Sequence, residues 1–269
     1  MREVAPKNPL QILLILLVLA YAAALIIAPI YAISDGAIER GWQPIKDTLQ
    51  DDGVQHALRI TFEFSIIATL LNTFFGVIIA WVLARQRFYG RTLVNALVDI
   101  PFVFSPVIAG YTMIVLFGRN GWLEPTTFAI VFAYPGIILA KTFVALPFVS
   151  REVGPVLESL PIEPEEAAYT LGASRWGTFW RIVMPGIWVG VIYGVVLTLA
   201  RSLGEFGAVA VVSGGIEGKT ETATMYVYRA LHDRNRIGAY SVSLVLGAVS
   251  VLILLVMSLL KWRLDRQRG

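Results

Sequence analysis

The sequence contains no cysteine and only two histidines, His56 and His232. The first absence excludes disulfides and thiolate-bound metals and leaves the redox compartment unspecified. The histidines read as isolated loop residues that do not combine into a metal site, and no serine stands in a nucleophile-elbow context. Neither catalysis nor a resident cofactor is therefore expected in this chain. Charge is also scarce. Only 15% of the 269 residues are Asp, Glu, Lys or Arg, where soluble domains carry about 25%. A net charge of +3 calls for no nucleic-acid partner, since the basic residues gather in particular loops.

A nucleotide-binding loop is missing too, although one passage comes close. Ser213-Gly214-Gly215-Ile216-Glu217-Gly218-Lys219-Thr220 departs at its first position from the Gly-x4-Gly-Lys-Ser/Thr pattern. It also follows an apolar run where a phosphate loop follows a buried strand. It reads as a turn leading into a helix over 224–231.

What the chain does have is apolar sequence, at 57% hydrophobic residues and a mean hydropathy of +0.69. Charge-free runs extend from Leu10 to Ile33, Phe64 to Ala84, Ile100 to Phe117, Ile182 to Ala200 and Ile237 to Leu260. A further run, Thr126 to Ser150, is interrupted only by Lys141. Each is near or above the roughly 18 residues that carry a helix across a bilayer. The expectation is an all-α membrane protein, one domain over 1–269, with six transmembrane helices at about 10–33, 57–84, 94–117, 126–150, 185–211 and 237–261. The first run is longer than the roughly 7–15 residues of a signal-peptide core. It reads as a retained helix despite an Ala32-Ile33-Ser34 stretch that loosely resembles a cleavage site.

Lysines and arginines orient the chain, because they collect in cytoplasmic loops. With the N-terminus inside, the inner segments hold Arg2, Lys7, Arg85, Arg87, Arg91, Arg151, Arg175, Arg181, Lys261, Arg263, Arg266 and Arg268. The outer segments hold Arg40, Lys46, Arg119, Lys219, Arg229, Arg234 and Arg236. The excess puts both termini in the cytoplasm, and with them the polar segment 155–184.

That segment is the oddest passage, a charged, glycine-punctuated excursion between apolar runs. Pro164 suits a first helical position, and Glu165 and Glu166 suit the positive end of the helix dipole. Ala167 and Ala168 continue the helix, Gly172 stops it, and after Ala173, Ser174 is placed to cap a second helix beginning at Arg175. Trp176, Phe179, Trp180 and Arg181 belong at a membrane–water boundary. An amphipathic anchor would explain such a loop, and so would a docking helix. The small residues beside Glu166 favour docking, because they let another backbone approach closely.

The spacing is specific. Glu166-Ala167-Ala168, three residues, Gly172, nine residues, Ile182, one residue, then Met184-Pro185 resembles the EAA loop of ABC-importer membrane subunits, with Met184 standing where that pattern has leucine. The six-run layout resembles the whole type I importer (MetI-like) permease. The resemblance implies a cytoplasmic coupling helix gripped by an ATPase dimer, with Glu165, Glu166, Ala167, Ala168, Gly172, Ala173, Ser174 and Arg175 at the contact. ATP and Mg would then be bound in that partner.

Ionisable residues inside spans are functional candidates. Arg201 and Glu205 stand one helical turn apart. Arg201 lies about 24 Å along a helix from Pro185 at 1.5 Å per residue. Arg59 and Glu63 repeat the spacing, and Lys141 sits mid-span. Two readings stand for each: a pair or anchor that holds helices together, or a lining for the path of an anion. For Lys141 the first takes the form of snorkelling toward the interface. Arg201, Ser202, Glu205, Lys141 and Arg59 are the candidate path or gate residues. Pro101, Pro106, Gly110, Gly204 and Gly207 mark places for kinks or close helix approach.

Arg201 to Ala208, reading RSLGEFGA, and the continuation Val211-Val212-Ser213-Gly214 resemble the oxyanion branch of these permeases. That branch includes the sulfate/thiosulfate and the molybdate/tungstate permeases. Gly218-Lys219-Thr220, Thr222 and the fourth-span stretch Lys141 to Glu152 are closer to the W-type subunit of sulfate importers. Ala223-Thr224-Met225 departs from that subunit's Thr-x-Thr-x-Pro-Leu pattern. The resemblance implies a second homologous permease, an extracytoplasmic sulfate-binding protein and a lipid-embedded heteromeric complex in the inner membrane. A secondary transporter would show internal repeats and a channel a filter segment; neither stands out.

Overall fold

The computed structural model describes residues 9–39, 41–123 and 129–268, with side chains described as far as residue 259. Arg2, Lys7, Arg40 and the first residues of the 126–150 run lie outside the described residues, as do the side chains of Lys261, Arg263, Arg266 and Arg268. Among the described residues every regular element is a helix. They run α1 (Pro9–Ile38), α2 (Trp42–Gln50), α3 (Asp52–Arg85), α4 (Arg91–Val103), α5 (Pro106–Phe117) and α6 (Tyr134–Ser159). Then come α7 (Glu163–Thr170), α8 (Arg175–Thr178), a π-helical turn (Phe179–Val183), α9 (Met184–Leu203), α10 (Gly207–Ser213), α11 (Ala223–His232) and α12 (Arg236–Arg268).

The six apolar runs fall on α1, α3, the α4–α5 pair, α6, α9 and α12, with three departures. The run at 94–117 is not one rod. α4 and α5 meet at 112° across a two-residue break, because Pro106 opens α5 and the residue before a proline is driven out of the helical region. The run at 185–211 ends as a helix at Leu203, and its remainder forms α10 after a turn at Gly204. The helix of the 126–150 run begins only at Tyr134 and continues to Ser159, into the segment assigned to the polar loop. By length and hydropathy four helices among the described residues can cross a membrane, or five with the bent pair counted as one. α6 falls outside that count because it carries Lys141, Arg151 and Glu152. It is also the helix the others pack around, so Lys141 is covered by protein while Arg151 stays exposed near the helix end.

The core is made by α3, α6 and α9. Val77 and Ala80 of α3, Val149, Val153 and Leu157 of α6, and Ile187 and Val191 of α9 form one buried cluster. In lipid, burying apolar side chains removes no water, so close packing has to supply the cohesion. Val149 shows how. A Cβ added at Gly76 would sit 2.7 Å from its Cβ, and one added at Gly194 would sit 2.7 Å from its Cα. Missing side chains on both neighbours let three backbones converge there. α1 is the opposite case. It lies along α12 and leaves Leu13, Leu17, Tyr21 and Leu25 about 60% exposed, an exposure suited to an apolar surrounding.

One end of the bundle is closed by α2, α11 and the starts of α3 and α12, through Val54, Ala57, Tyr226, Ala230, Ala239 and Val242. The other end carries α7, docked beneath the end of α3.

Candidate functional site

At the α7 end the polar excursion folds into a short helix, a turn and a rod. Gly172 takes φ +82°, a conformation that costs glycine little and other residues more. Ser174 caps α8, its Oγ accepting the Gly177 N–H at 3.1 Å. From Arg175 to Leu203 the chain is one apolar rod of 29 residues. The expected separate second helix is therefore continuous with the span. The π-turn at Phe179–Val183 ends two residues before Pro185, which lacks the N–H of a regular α-helical ladder.

The α7 residues divide by exposure. Glu166, Ala167, Gly172, Ala173, Ser174 and Arg175 are exposed and Ala168 half-buried, with Leu171 and Trp176 projecting at 88% and 70% exposure. Glu165 does not share that surface. It is buried, and Arg85 at the end of α3 donates Nε–H to its Oε1 at 2.9 Å. Arg85 also donates from Nη2 to Leu160 O at 3.2 Å. Glu165 thus ties α7 to α3 and to the end of α6, a partner 80 residues away that no local pattern reveals.

The second cluster lies where α9 breaks. The last carbonyls of a helix lack internal partners and carry the negative end of its dipole. Lys141 answers this. Its ammonium is fully buried and donates to Ser202 O at 2.6 Å and to Ser65 Oγ at 2.9 Å. It neither snorkels to an interface nor opens to a path in this structure. Glu205 stands in the break itself, 1% exposed. Its Oε1 accepts the Ala208 N–H at 2.9 Å, satisfying one free donor at the start of α10. Its Oε2 lies 2.6 Å from Arg201 Nη1 as an ion pair, while its backbone carbonyl accepts from Thr224 Oγ1 at 2.9 Å. Arg201 keeps a third of its side chain exposed, the one accessible cation of the group.

The two breaks face each other. A Cβ at Gly110 of α5 would sit 2.6 Å from Ala208 O, and one at Gly207 would sit 3.0 Å from Pro106 Cβ. The α4–α5 bend and the α9–α10 break therefore pack directly together, while Lys141 and Thr224 tie the break to α3, α6 and α11. Arg59 is not part of this assembly. It pairs with Glu63 on its own helix at 2.7 Å, with side chains 74% and 47% exposed. Ser65 was missed in the sequence. It belongs to a buried hydroxyl stripe, Thr61, Ser65 and Thr69, whose four-residue spacing is visible once looked for. Each hydroxyl donates to the carbonyl four residues back, and Thr61 Oγ1 also accepts the Ala223 N–H at 2.8 Å.

The near-miss nucleotide passage is a self-contained turn. The N–H groups of Lys219, Thr220 and Glu221 all converge on Ile216 O, where a phosphate cradle would point them outward. His56, within α3 and not in a loop, contacts Lys219 O at 3.1 Å. His232 ends α11, its Nδ1 on Tyr228 O at 2.9 Å. Arg229 holds this region together by a two-nitrogen grip on Glu221 at 2.6 and 2.9 Å. That hydrogen bonding pushes its pKa above the ordinary arginine value.

Residues 72–268 match the family model described as binding-protein-dependent transport system inner membrane component. The chain is 43% identical over 265 residues to the sulfate transport system permease protein CysW of Synechococcus elongatus, covering 97% of this chain and 93% of the relative. It is 36% identical to the sulfate transport system permease protein CysT of Escherichia coli, covering 93% and 91%. Among solved structures it is similar to a bacterial ABC transporter involved in import of the acidic polysaccharide alginate. The TM-score is 0.77 at 17% identity, over 94% of this chain and 95% of that one.

Proposed function

Because the chain belongs to the inner membrane components of binding-protein-dependent transport systems, the permeases of type I ABC importers, we propose that its cargo is sulfate or thiosulfate. The observation that carries the coupling half of this reading is the division of labour on α7. Glu166 and Ala167 face outward while Glu165 is bolted to Arg85. A push on the exposed face therefore reaches the end of α3 through a charge-assisted bond rather than a slack loop. An ATPase dimer grips that face from the cytoplasm and binds the ATP and Mg. Both termini are cytoplasmic, and α6 and the bent α4–α5 pair complete six spans. A second, homologous permease pairs with this one, in keeping with relatives of two names, CysW and CysT. An extracytoplasmic sulfate-binding protein delivers the anion.

Arg201 is the cation that meets the cargo. Its pairing with Glu205 leaves little surplus positive charge, so a dianion is held weakly and released, while the delivery protein supplies selectivity. Molybdate or tungstate is the second reading, favoured by the Leu203-Gly204-Glu205-Phe206-Gly207 segment, which resembles both branches. The test is ATP-dependent uptake into vesicles carrying the assembled complex, with labelled sulfate and molybdate compared. Sulfate uptake is expected; transport of molybdate alone overturns the cargo assignment. Glu166→Lys and Gly172→Val are expected to leave the chain in the membrane and abolish the coupling of hydrolysis to uptake. ATPase retention and coupling unaffected by both changes would remove α7 from that role.

A further inference from the structure

A cleft of about 340 Å³ opens between α3, α4 and α6 at the end of the bundle that carries α7. Its α3 wall is apolar, made by Ala80, Leu83 and Ala84, and its rim carries Arg91 of α4 and Arg151 of α6. Gly154 keeps the α6 wall open, since a Cβ there would meet nothing within 4 Å. None of these residues belongs to the Lys141–Glu205 cluster, and neither the cargo reading nor the coupling reading uses them.

The two arginines differ in how firmly they are held. Arg151 forks onto Asp99, with Nε donating to Oδ1 at 2.7 Å and Nη2 to Oδ2, and Nη2 also reaches Asn95 O at 3.3 Å. Among the described residues the Arg91 guanidinium pairs only with Glu158, at 3.7 Å and with the carboxylate 62% exposed. That is too long for a hydrogen bond and too wet to bind the guanidinium strongly. A ligand phosphate would therefore release Glu158 into water at little cost and take Arg91, with Arg151 beside it. The apolar α3 wall beside this rim has no use for a small inorganic anion. It suits an acyl chain.

We propose that the α3–α4–α6 cleft seats one anionic phospholipid, its phosphate at Arg91 and Arg151 and one acyl chain along Ala80, Leu83 and Ala84. Basic pockets between transmembrane helices commonly hold such headgroups. The bound lipid would bridge α4 to the α3–α6 core and so support the half of the bent pair that precedes the break.

The test uses the assembled transporter complex purified in detergent. It is offered phosphatidylglycerol and phosphatidylcholine in equal amounts, and retained lipid is counted by native mass spectrometry. The wild type is expected to retain phosphatidylglycerol in preference. Arg91→Gln should cut that retention about fivefold, the effect of one basic residue at an anionic surface. Gly154→Leu fills the cleft while keeping both arginines, and it should do the same. Arg87→Gln, exposed and outside the cleft, should retain lipid as the wild type does, and millimolar inorganic phosphate should not displace it. Equal retention of the two lipids, retention unchanged in both cleft variants, loss in Arg87→Gln equal to that in Arg91→Gln, or displacement by inorganic phosphate alone overturns the proposal. The last outcome would mark the rim as a small-anion site.

Discussion

Two arginine–glutamate pairs share one spacing and almost one distance, Arg59–Glu63 at 2.7 Å and Arg201–Glu205 at 2.6 Å. In sequence they are twins. In the structure the first lies on the outside of an unbroken helix, with both side chains substantially exposed. The second straddles a helix end, with its carboxylate 1% exposed and committed to the backbone of the next helix. Spacing decides that two groups can meet; the environment decides what the meeting does. An exposed pair gains little, because water screens it and two long side chains must be immobilised. A buried carboxylate must be satisfied from several directions at once, and Glu205 is tied into the α9–α10 junction for that reason.

The largest effect that would sharpen this contrast is expected from Glu205→Ala. It strands Arg201, frees the Ala208 N–H and leaves a void between two broken helices, a loss of about 3 kcal/mol by analogy with buried pairs deprived of one partner. The thermal midpoint of the assembled complex should fall clearly, and uptake should be lost. Glu205→Gln keeps the acceptor for Ala208 and should recover much of the stability. A null result for Glu205→Ala would erase the difference between the two pairs.

Glu165→Ala is the next step down. Arg85 keeps its bond to Leu160 O, and the pair sits at the edge of the bundle with side chains 12% and 8% exposed. About 2 kcal/mol is expected, together with ATP hydrolysis less tightly linked to uptake. Hydrolysis and uptake measured on the same vesicles separate these: a purely structural bolt lowers both in proportion, a coupling bolt lowers uptake more.

Lys141→Met follows. It keeps the length and apolar body of the side chain while removing the donors to Ser202 O and Ser65 Oγ, at a cost of about 1–2 kcal/mol. Were Lys141 in contact with the anion, the same change would raise the substrate concentration needed for half-maximal uptake and leave stability unchanged. A scan of uptake against sulfate concentration, alongside the thermal midpoint, tells the two apart.

The apolar runs, the existence of a helix–turn–helix excursion and both i,i+4 pairs were legible in the sequence, because each rests on local spacing. The π-turn ahead of Pro185 and the α4–α5 bend had visible proline signals, yet composition alone treats an apolar run as one rod. The end of α9 at Leu203 was hidden by the same habit, although Gly204 and Gly207 bracket the break. Non-local partners were out of reach. Nothing near Glu165 in sequence announces Arg85, so it was grouped with the exposed docking residues. Nothing near Lys141 announces that its ammonium would be spent on Ser202 O rather than on a carboxylate or a cargo.

The smallest effect is the one that tests the comparison from its other side. Arg59 and Glu63 are exposed enough that their attraction is offset by the freedom both side chains lose. Arg59→Ala, Glu63→Ala and the double variant should all melt with the wild type, and the double-mutant cycle should return no coupling. Arg59 is also the candidate path residue that lies apart from the α9 break. Uptake with an unchanged concentration dependence in Arg59→Ala would confine the path to the Arg201 side. A shift there, with stability intact, would mean that an exposed pair on the shaft of α3 meets the anion. In that case exposure would mark the path, and burial at Glu205 would mark the hinge beside it.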